Sequence, residues 1–487
     1  MNRSNLPTLS NRLLTSLAVI GCSFFSSAMA DEKEASPVAA TKVDYKTQIE
    51  PIFRQHCQGC HQPAKVEGGL ILTDPRVMLE KGGDSGAVLV AGDAANSPLM
   101  KEIIPHEGKA EMPKDAPPLS DPDIDLIRRW INEGASVGNW APPGPVYSAE
   151  VPPQYQSSPF ITAIDYSPDG KWLAVSGFHE VLLLDANTKQ LAKRLIGRSE
   201  RIEDISFSSD GSRLAVAGGI PGMMGEVQLW DPASGELVRS WNLGGDTLYG
   251  VSWSPDGKLL SVGCADNSVR AFEVASGKQV VFSATHEDWA LDTVFSLKGD
   301  HLLSVSRDRS MKLVHVETQR FVDNVTSITP GAQKGGLMSI DRHPSREEVA
   351  CGGADSVPKI YKIFRDKQRQ IGDDFNLIRA MPAMEGRVFE VQFNHDGSRL
   401  AAVSSNHRSG KLSIYQPDEG KEISTLAIPT GGLFAVSFSQ DGSQVAAGGA
   451  DGKLLIVDAA SGSILQSIEL AQIVQAASPP SKDAATN

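Results

Sequence analysis

The stretch Ile161-Thr162-Ala163-Ile164-Asp165-Tyr166 alternates in character, meets the turn Ser167-Pro168-Asp169-Gly170, and is followed by a second alternating run, Trp172-Leu173-Ala174-Val175. A period of two marks half-buried strands, and Pro-Asp-Gly between two such runs is turn chemistry. A third strand follows at Val181-Leu182-Leu183-Leu184 and a fourth near Leu191. The unit then recurs. Its first turn returns as Ser209-Asp210-Gly211, Ser254-Pro255-Asp256-Gly257, the weaker Leu297-Lys298-Gly299, Pro344-Ser345-Arg346, Asn394-His395-Asp396-Gly397 and Gln440-Asp441-Gly442. That makes seven copies, about 41 to 51 residues apart, each with four short strands.

A four-stranded repeat of this length is the signature of a β-propeller blade. Residues 160–470 resemble the WD40 family: Leu229-Trp230-Asp231 is a literal Trp-Asp strand end, with Leu184-Asp185, Phe272-Glu273 and Val457-Asp458 in the same slot. The acids Asp266, Asp308, Asp355 and Asp451 resemble that family's turn-stabilising aspartate and are expected to be architecture. The resemblance implies a seven-bladed ring that binds proteins. Ring closure has two solutions in the sequence, side-chain packing or an added strand at Val146-Tyr147. Two longer connections, Gly218 to Gly225 and Asp366 to Glu385, mark candidate binding faces, with Met223, Met224, Trp289, Arg307 and Arg309 as candidate contact residues.

Upstream, the chemistry concentrates at Cys57-Gln58-Gly59-Cys60-His61. Two thiols two residues apart with an imidazole directly after them form the attachment pattern of a c-type haem, the cysteines as thioethers and His61 as proximal iron ligand. A zinc site would need a second Cys pair, which the chain lacks; a thioredoxin-like pair would need a βαβ context. The run from Tyr45 to His56 reads as helix, with Ile49, Ile52 and Phe53 on one stripe and Pro51 placing the start close to itself. Leu119 to Ile131 reads as a second helix, capped at Ser120 with Asp123 three residues on, and burying Ile124, Ile127, Trp130 and Ile131. The distal ligand is sought between these helices. Met112, stiffened by Pro113, is the first candidate; His106, His56, Met78 and Met100 compete.

Residues 49–135 resemble the planctomycete cytochrome c domain. The shared features run in order: Phe53, the Cys57-Cys60-His61 motif, Gly68-Gly69-Leu70, Asp74, Lys81-Gly82-Gly83-Asp84-Ser85-Gly86, Gly92-Asp93, Ser97-Pro98-Leu99, Met112-Pro113, Trp130-Ile131 and Gly134-Ala135. The resemblance implies Met112 as the axial partner of His61; Lys114 departs from the family's second proline. It also accounts for Gly83-Asp84-Ser85-Gly86, which looks like a protease nucleophile loop but lacks a supporting fold.

The 487-residue chain is long enough for more than one domain, and its 45 glycines and 29 prolines suit many short strands and turns. At the N-terminus, Arg3 and Arg12, an apolar run from Leu13 to Phe25 and Ala28-Met29-Ala30 read as a signal peptide over 1–30, with no transmembrane span expected. Val19-Ile20-Gly21-Cys22 offers the alternative of a lipid anchor at Cys22. Removing 1–30 takes the net charge from -13 to -15, which argues against a nucleic-acid partner. Cys264 and Cys351 are left as a disulfide or as buried thiols.

The expected organisation is therefore multidomain: signal peptide 1–30, a small all-α cytochrome c domain at 44–136, a linker at 137–159, an all-β seven-bladed WD40 propeller at 160–470 and a disordered tail at 471–487. The expected function is an exported c-type cytochrome, in the periplasm or another extracytoplasmic compartment of a bacterium, with one covalent haem held by Cys57, Cys60, His61 and Met112. It would exchange electrons with a redox partner protein held by the propeller, as a carrier in preference to an enzyme. The alternatives are a haem-based redox- or gas-sensing scaffold, and an oxidoreductase with a second cofactor in the propeller. Relatives of the latter kind, cytochrome cd1 nitrite reductase and haem quinoprotein dehydrogenases, have eight blades.

Overall fold

Each repeat folds because its turn satisfies its own backbone. In the first copy the Ser167 hydroxyl accepts the Trp172 amide at 2.8 Å and donates to Asp169 at 2.7 Å. The Ser208, Ser254 and Ser439 hydroxyls accept the equivalent amides at 3.0, 2.8 and 3.0 Å. Gly170 closes its turn at φ 69°, a left-handed conformation costly for any residue with a side chain. The computed structural model describes residues 42–62, 65–114, 116–140, 147–327, 334–368, 370 and 374–477.

Seven four-stranded antiparallel sheets form the propeller, each built from four consecutive strands. In blade 1 they are Ile164–Tyr166, Trp172–Ser176, Glu180–Asp185 and Leu191–Ile196. The first strands of successive blades contact one another around the ring, so they are the inner strands, and the fourth strands lie outermost. Apolar clusters fill the spaces between blades: Leu183, Leu195, Ile205 and Val216 share one with Trp230. The turn acids behave as architecture, Asp266, Asp355 and Asp451 each accepting the amide two residues on at 3.1 Å.

Blade 7 takes all its strands from 433–469, so the ring closes without a borrowed strand. Side-chain packing closes it, helped by one backbone bond from Ile161 to the Gly449 carbonyl at 2.9 Å. Tyr147 lies outside any strand, its ring against Phe178 and His179; Val146 is outside the described residues. The tail expected to be disordered from 471 begins instead as a helix, Leu470–Ala477. Leu470, Ala471 and Val474 bury an apolar face in the blade 1–blade 7 cluster, and the Gln475 amide reaches the Tyr155 carbonyl at 2.9 Å. Composition hid this because the helix is stabilised by its docking, not by its propensity.

The region before the propeller is helical: a π-type turn at Tyr45–Ile49, then α1 (Glu50–His56), α2 (Pro75–Lys81), α3 (Pro98–Ile103) and α4 (Asp121–Asn132). It is not purely helical, since His61–Gln62 pairs antiparallel with Lys65–Val66. Pro51 stands in the first turn of α1, where its missing N–H costs nothing. The Ser120 hydroxyl caps α4 by accepting from the Asp123 amide at 3.3 Å. Tyr45, Phe53 and Trp130 form the centre of this core, with ring centroids 5.4 to 6.4 Å apart.

Three sequence expectations resolve here. Cys264 and Cys351 are buried free thiols in blades 3 and 5, so the disulfide alternative is not realised. The Gly218–Gly225 insertion is the extended hairpin between strands Leu214–Ile220 and Met224–Asp231, and Met224 is buried in it. The long 366–385 connection contains blade 5's outer strand, Leu377–Ala380. No helix among the described residues is long and apolar enough to cross a membrane. The signal-peptide and Cys22 expectations lie outside the described residues.

Candidate functional site

Helix α1 ends at His56, and the chain turns back through Cys57 to His61. The Cys57 and Gln58 amides both bond the Phe53 carbonyl, and the His61 amide bonds the Cys57 carbonyl at 3.2 Å. Gln58, almost fully buried, ties the loop to the Leu72 carbonyl at 2.8 Å. His61 is also buried. Its Nδ1 lies 3.0 Å from the Glu67 carbonyl, which can only accept, so Nδ1 carries the proton and Nε2 holds the lone pair. Burial lowers the imidazole's proton affinity further, keeping it the neutral donor a metal requires. Burial also pushes the Cys57 thiol up to about 12.

The rival distal donors separate by burial. Met78 and Met100 are 1% and 3% exposed, committed to the core, and His106 is exposed in a turn with Lys109. Met112 is half-buried and packs on the same core as Cys57 and Leu70, its amide held by the Glu102 carbonyl at 2.9 Å. Two residues on, the Lys114 charge acts on both Cys60 and Glu67, so this loop runs beside the Cys-x-x-Cys-His segment. His56 stands at the end of α1, half-buried.

These residues fit a c-type haem. Two thiols and one oriented imidazole stand on one short loop with a thioether loop beside it, a soft N/S donor set suited to haem iron. Around the loop, buried polar atoms have no protein partner: the Tyr45 hydroxyl, whose ionisation is disfavoured chiefly by burial, and the Gln62 carboxamide oxygen. Such atoms are costly unless something else meets them. No group of three or more His, Cys, Asp or Glu that could hold a bare metal ion occurs among the described residues.

Gly59 faces the propeller. A methyl group there would collide with the Ser240 carbonyl on the outer strand of blade 2, Glu236–Leu243. Gly59→Ala is therefore expected to lower stability by about 1–3 kcal/mol through overpacking, read as a lower urea midpoint.

Around the axis the structure shows what sequence reading missed. Inner-strand side chains accept backbone amides from the next blade: Asp165 from Phe207 at 2.8 Å, Asp204 from Val251 at 2.6 Å, Asp292 from Ile340 at 2.8 Å, Asp341 from Phe393 at 2.6 Å and Glu390 from Val436 at 2.6 Å. Ser437 returns the pattern to blade 1, accepting from the Tyr166 amide at 3.1 Å. Desolvation first, then repulsion from Asp204 and Asp341, raises Asp165 to about 7; desolvation first, then repulsion from Glu203, raises Asp204 to about 6; desolvation raises Asp341 to about 6. A further acid site is internal to blade 4: His286 bonds Asp308 at 2.9 Å and Ser304 at 2.8 Å. The connectivity is that of a hydrolase triad, but Ser304 is 3% exposed and meets no substrate, so the group is a brace. Gly83-Asp84-Ser85-Gly86 forms a tight turn closed by Gly83 and Gly86. Of the suggested contact residues, Trp289 stacks on Tyr249 at 5.6 Å with Arg307 over its ring at 4.5 Å.

Residues 57–116 match the family model described as planctomycete cytochrome C. Residues 152–179 and 420–458 match the WD domain, G-beta repeat, and 241–298 match the anaphase-promoting complex subunit 4 WD40 domain. Among curated proteins, the chain is 20% identical over 270 residues to a WD repeat-containing protein 26 homolog of Arabidopsis thaliana, covering 54% of this chain and 42% of that one. It is 28% identical over 146 residues to an uncharacterized WD repeat-containing protein, sll1491, of Synechocystis, covering 30% and 40%. It is 23% identical over 185 residues to THO complex subunit 3 of Arabidopsis thaliana, covering 37% and 52%. The chain thus spans about half or less of the length of these relatives. The chain carries WD40 repeats in a seven-bladed propeller, preceded by a segment similar to planctomycete cytochrome C.

Proposed function

We propose that this protein is an exported c-type cytochrome, with one haem on Cys57 and Cys60, whose WD40 propeller holds the protein with which it exchanges electrons. The observation that carries the reading is the state of His61: its Nδ1 proton is spent on the Glu67 carbonyl, and its Nε2 lone pair is free for a metal. The match of residues 57–116 to planctomycete cytochrome C supports it. When bound, the haem supplies a one-electron ferric–ferrous couple.

The chain's residues do the rest. Cys57 and Cys60 would hold the group covalently, so that it would stay with the chain as partners exchange. Met112 offers a weak, neutral thioether on a loop tethered to Glu102, a ligand that favours the reduced state relative to a second imidazole. Tyr45, Phe53 and Trp130 form a buried apolar core against which Cys57 and Met112 pack, and it would keep water from the group there. The propeller's part is recognition, the role its WD40 repeats support.

The test is the optical spectrum of full-length protein matured in a periplasm competent for haem attachment. A six-coordinate c-type spectrum is expected, with a far-red band in the oxidised form that disappears in Met112→Ala while the covalent haem remains. Protein without covalent haem overturns the reading. High-spin iron open to added ligands would favour the sensing scaffold, and absorbance from a second chromophore would favour the oxidoreductase.

A further inference from the structure

The Cys-x-x-Cys-His loop does not stand free of the propeller. Helix α1 and the Lys65–Val66 strand both contact the outer strand of blade 2. Gly59 meets the Ser240 carbonyl, and beyond it lies the Asn242 carboxamide, whose nitrogen is 3.9 Å from where a residue-59 side chain would begin. Asn242 is 7% exposed, yet neither its oxygen nor its nitrogen has a partner. A buried carboxamide with both ends unmet costs several kcal/mol unless a further group occupies the seam. Arg239 directly precedes Ser240 on this strand, and its guanidinium is held by the Ala275 and Ser276 carbonyls. Ser240 is engaged by Glu226 at 2.6 Å, which fixes the strand's own geometry.

We propose that the outer strand of blade 2 is a wall of the haem site, with Asn242 and Arg239 as positioning residues through which the propeller sets the reduction potential. The inference rests on the haem reading above and assigns the propeller a second role, distinct from holding a partner. The physical argument is electrostatic. Oxidation of the iron adds one positive charge, and a fixed cation nearby makes that addition less favourable, the more so where water is excluded. Arg239 therefore holds the couple toward the reduced form, and the Asn242 dipole is oriented at the same loop.

The experiment is a spectroelectrochemical titration of full-length holoprotein at low ionic strength. Arg239→Met is expected to lower the reduced-to-oxidised ratio at fixed potential by at least threefold, about 28 mV for a one-electron couple. Arg239→Glu is expected to lower it further, and Arg239→Lys to leave it near wild type. Asn242→Leu is expected to move the ratio or the far-red ligation band without loss of covalent haem. A merely structural role would not sort the Arg239 variants by charge. Arg399→Met, in blade 6, serves as the control and is expected to leave the ratio unchanged. Wild-type protein that carries haem while Arg239→Met, Arg239→Glu and Asn242→Leu all titrate as wild type overturns this inference alone; wild-type protein without haem overturns the underlying reading as well.

Discussion

Arg194→Met is expected to destabilise the propeller by about 3–5 kcal/mol, seen as a lower midpoint of urea unfolding followed by tryptophan fluorescence. Glu180 is fully buried in blade 1 and is met by Arg194 through a two-pronged pair, each contact 2.6 Å, and by the Tyr155 hydroxyl at 2.7 Å. The Nη2 of Arg194 that bonds Glu180 also donates to the Pro153 carbonyl at 2.6 Å. Removing the guanidinium leaves a carboxylate in an apolar enclosure with one hydroxyl for company. Burial already raises Glu180 against the pull of Arg194, so the orphaned group would take up a proton. The loss should therefore shrink as the pH falls from 8 toward 5. Pairing the change with Glu180→Gln should recover most of the stability, because an uncharged amide no longer needs the cation. An unchanged midpoint in Arg194→Met would show that this network contributes nothing to the fold.

The axial carboxyls yield the second large effect, with the opposite sign from ordinary surface acids. Asp292 and Glu390 are both held well above the usual carboxylate range, by desolvation first and by the neighbouring acids of the ring second. The folded state then keeps protons that the unfolded chain has released. Stability is thus greatest below about pH 4 on this account and falls as pH rises through about 7, the value reached by Asp165. Asp292→Asn and Glu390→Gln retain an oxygen to accept the Ile340 and Val436 amides while removing the charge. Each is expected to stabilise the protein by about 1–2 kcal/mol at pH 8 and to be neutral near pH 4. Urea midpoints at the two pH values check this; destabilisation at pH 8 would mean that the ionised form is the one the ring is built around.

Helices α1 and α4 were legible because their signals are local: Pro51 in the first turn, the Ser120 cap, and an apolar stripe ending in Trp130 and Ile131. The blades were legible for the same reason, since a turn that satisfies itself within six residues recurs in each of the seven copies, in four of them as Ser-x-Asp-Gly. The axial ring was not. Asp165 and Asp204 differ in their offset from the following turn, and each finds its partner more than forty residues away on another blade. The helix Leu470–Ala477 was missed because its apolar face is short and acquires meaning only against Tyr155 and Ile164.

The sequence by itself determined the number of blades and the turns that end their strands, properties encoded within a few residues of one another. Tertiary structure alone decided that the blade 2 outer strand covers the Cys-x-x-Cys-His loop, that Asn242 is left without a partner there, and that the ring closes by side-chain packing. Those depend on which surfaces meet after the strands have formed. Burial and distance between remote residues have no period in the sequence from which to be read.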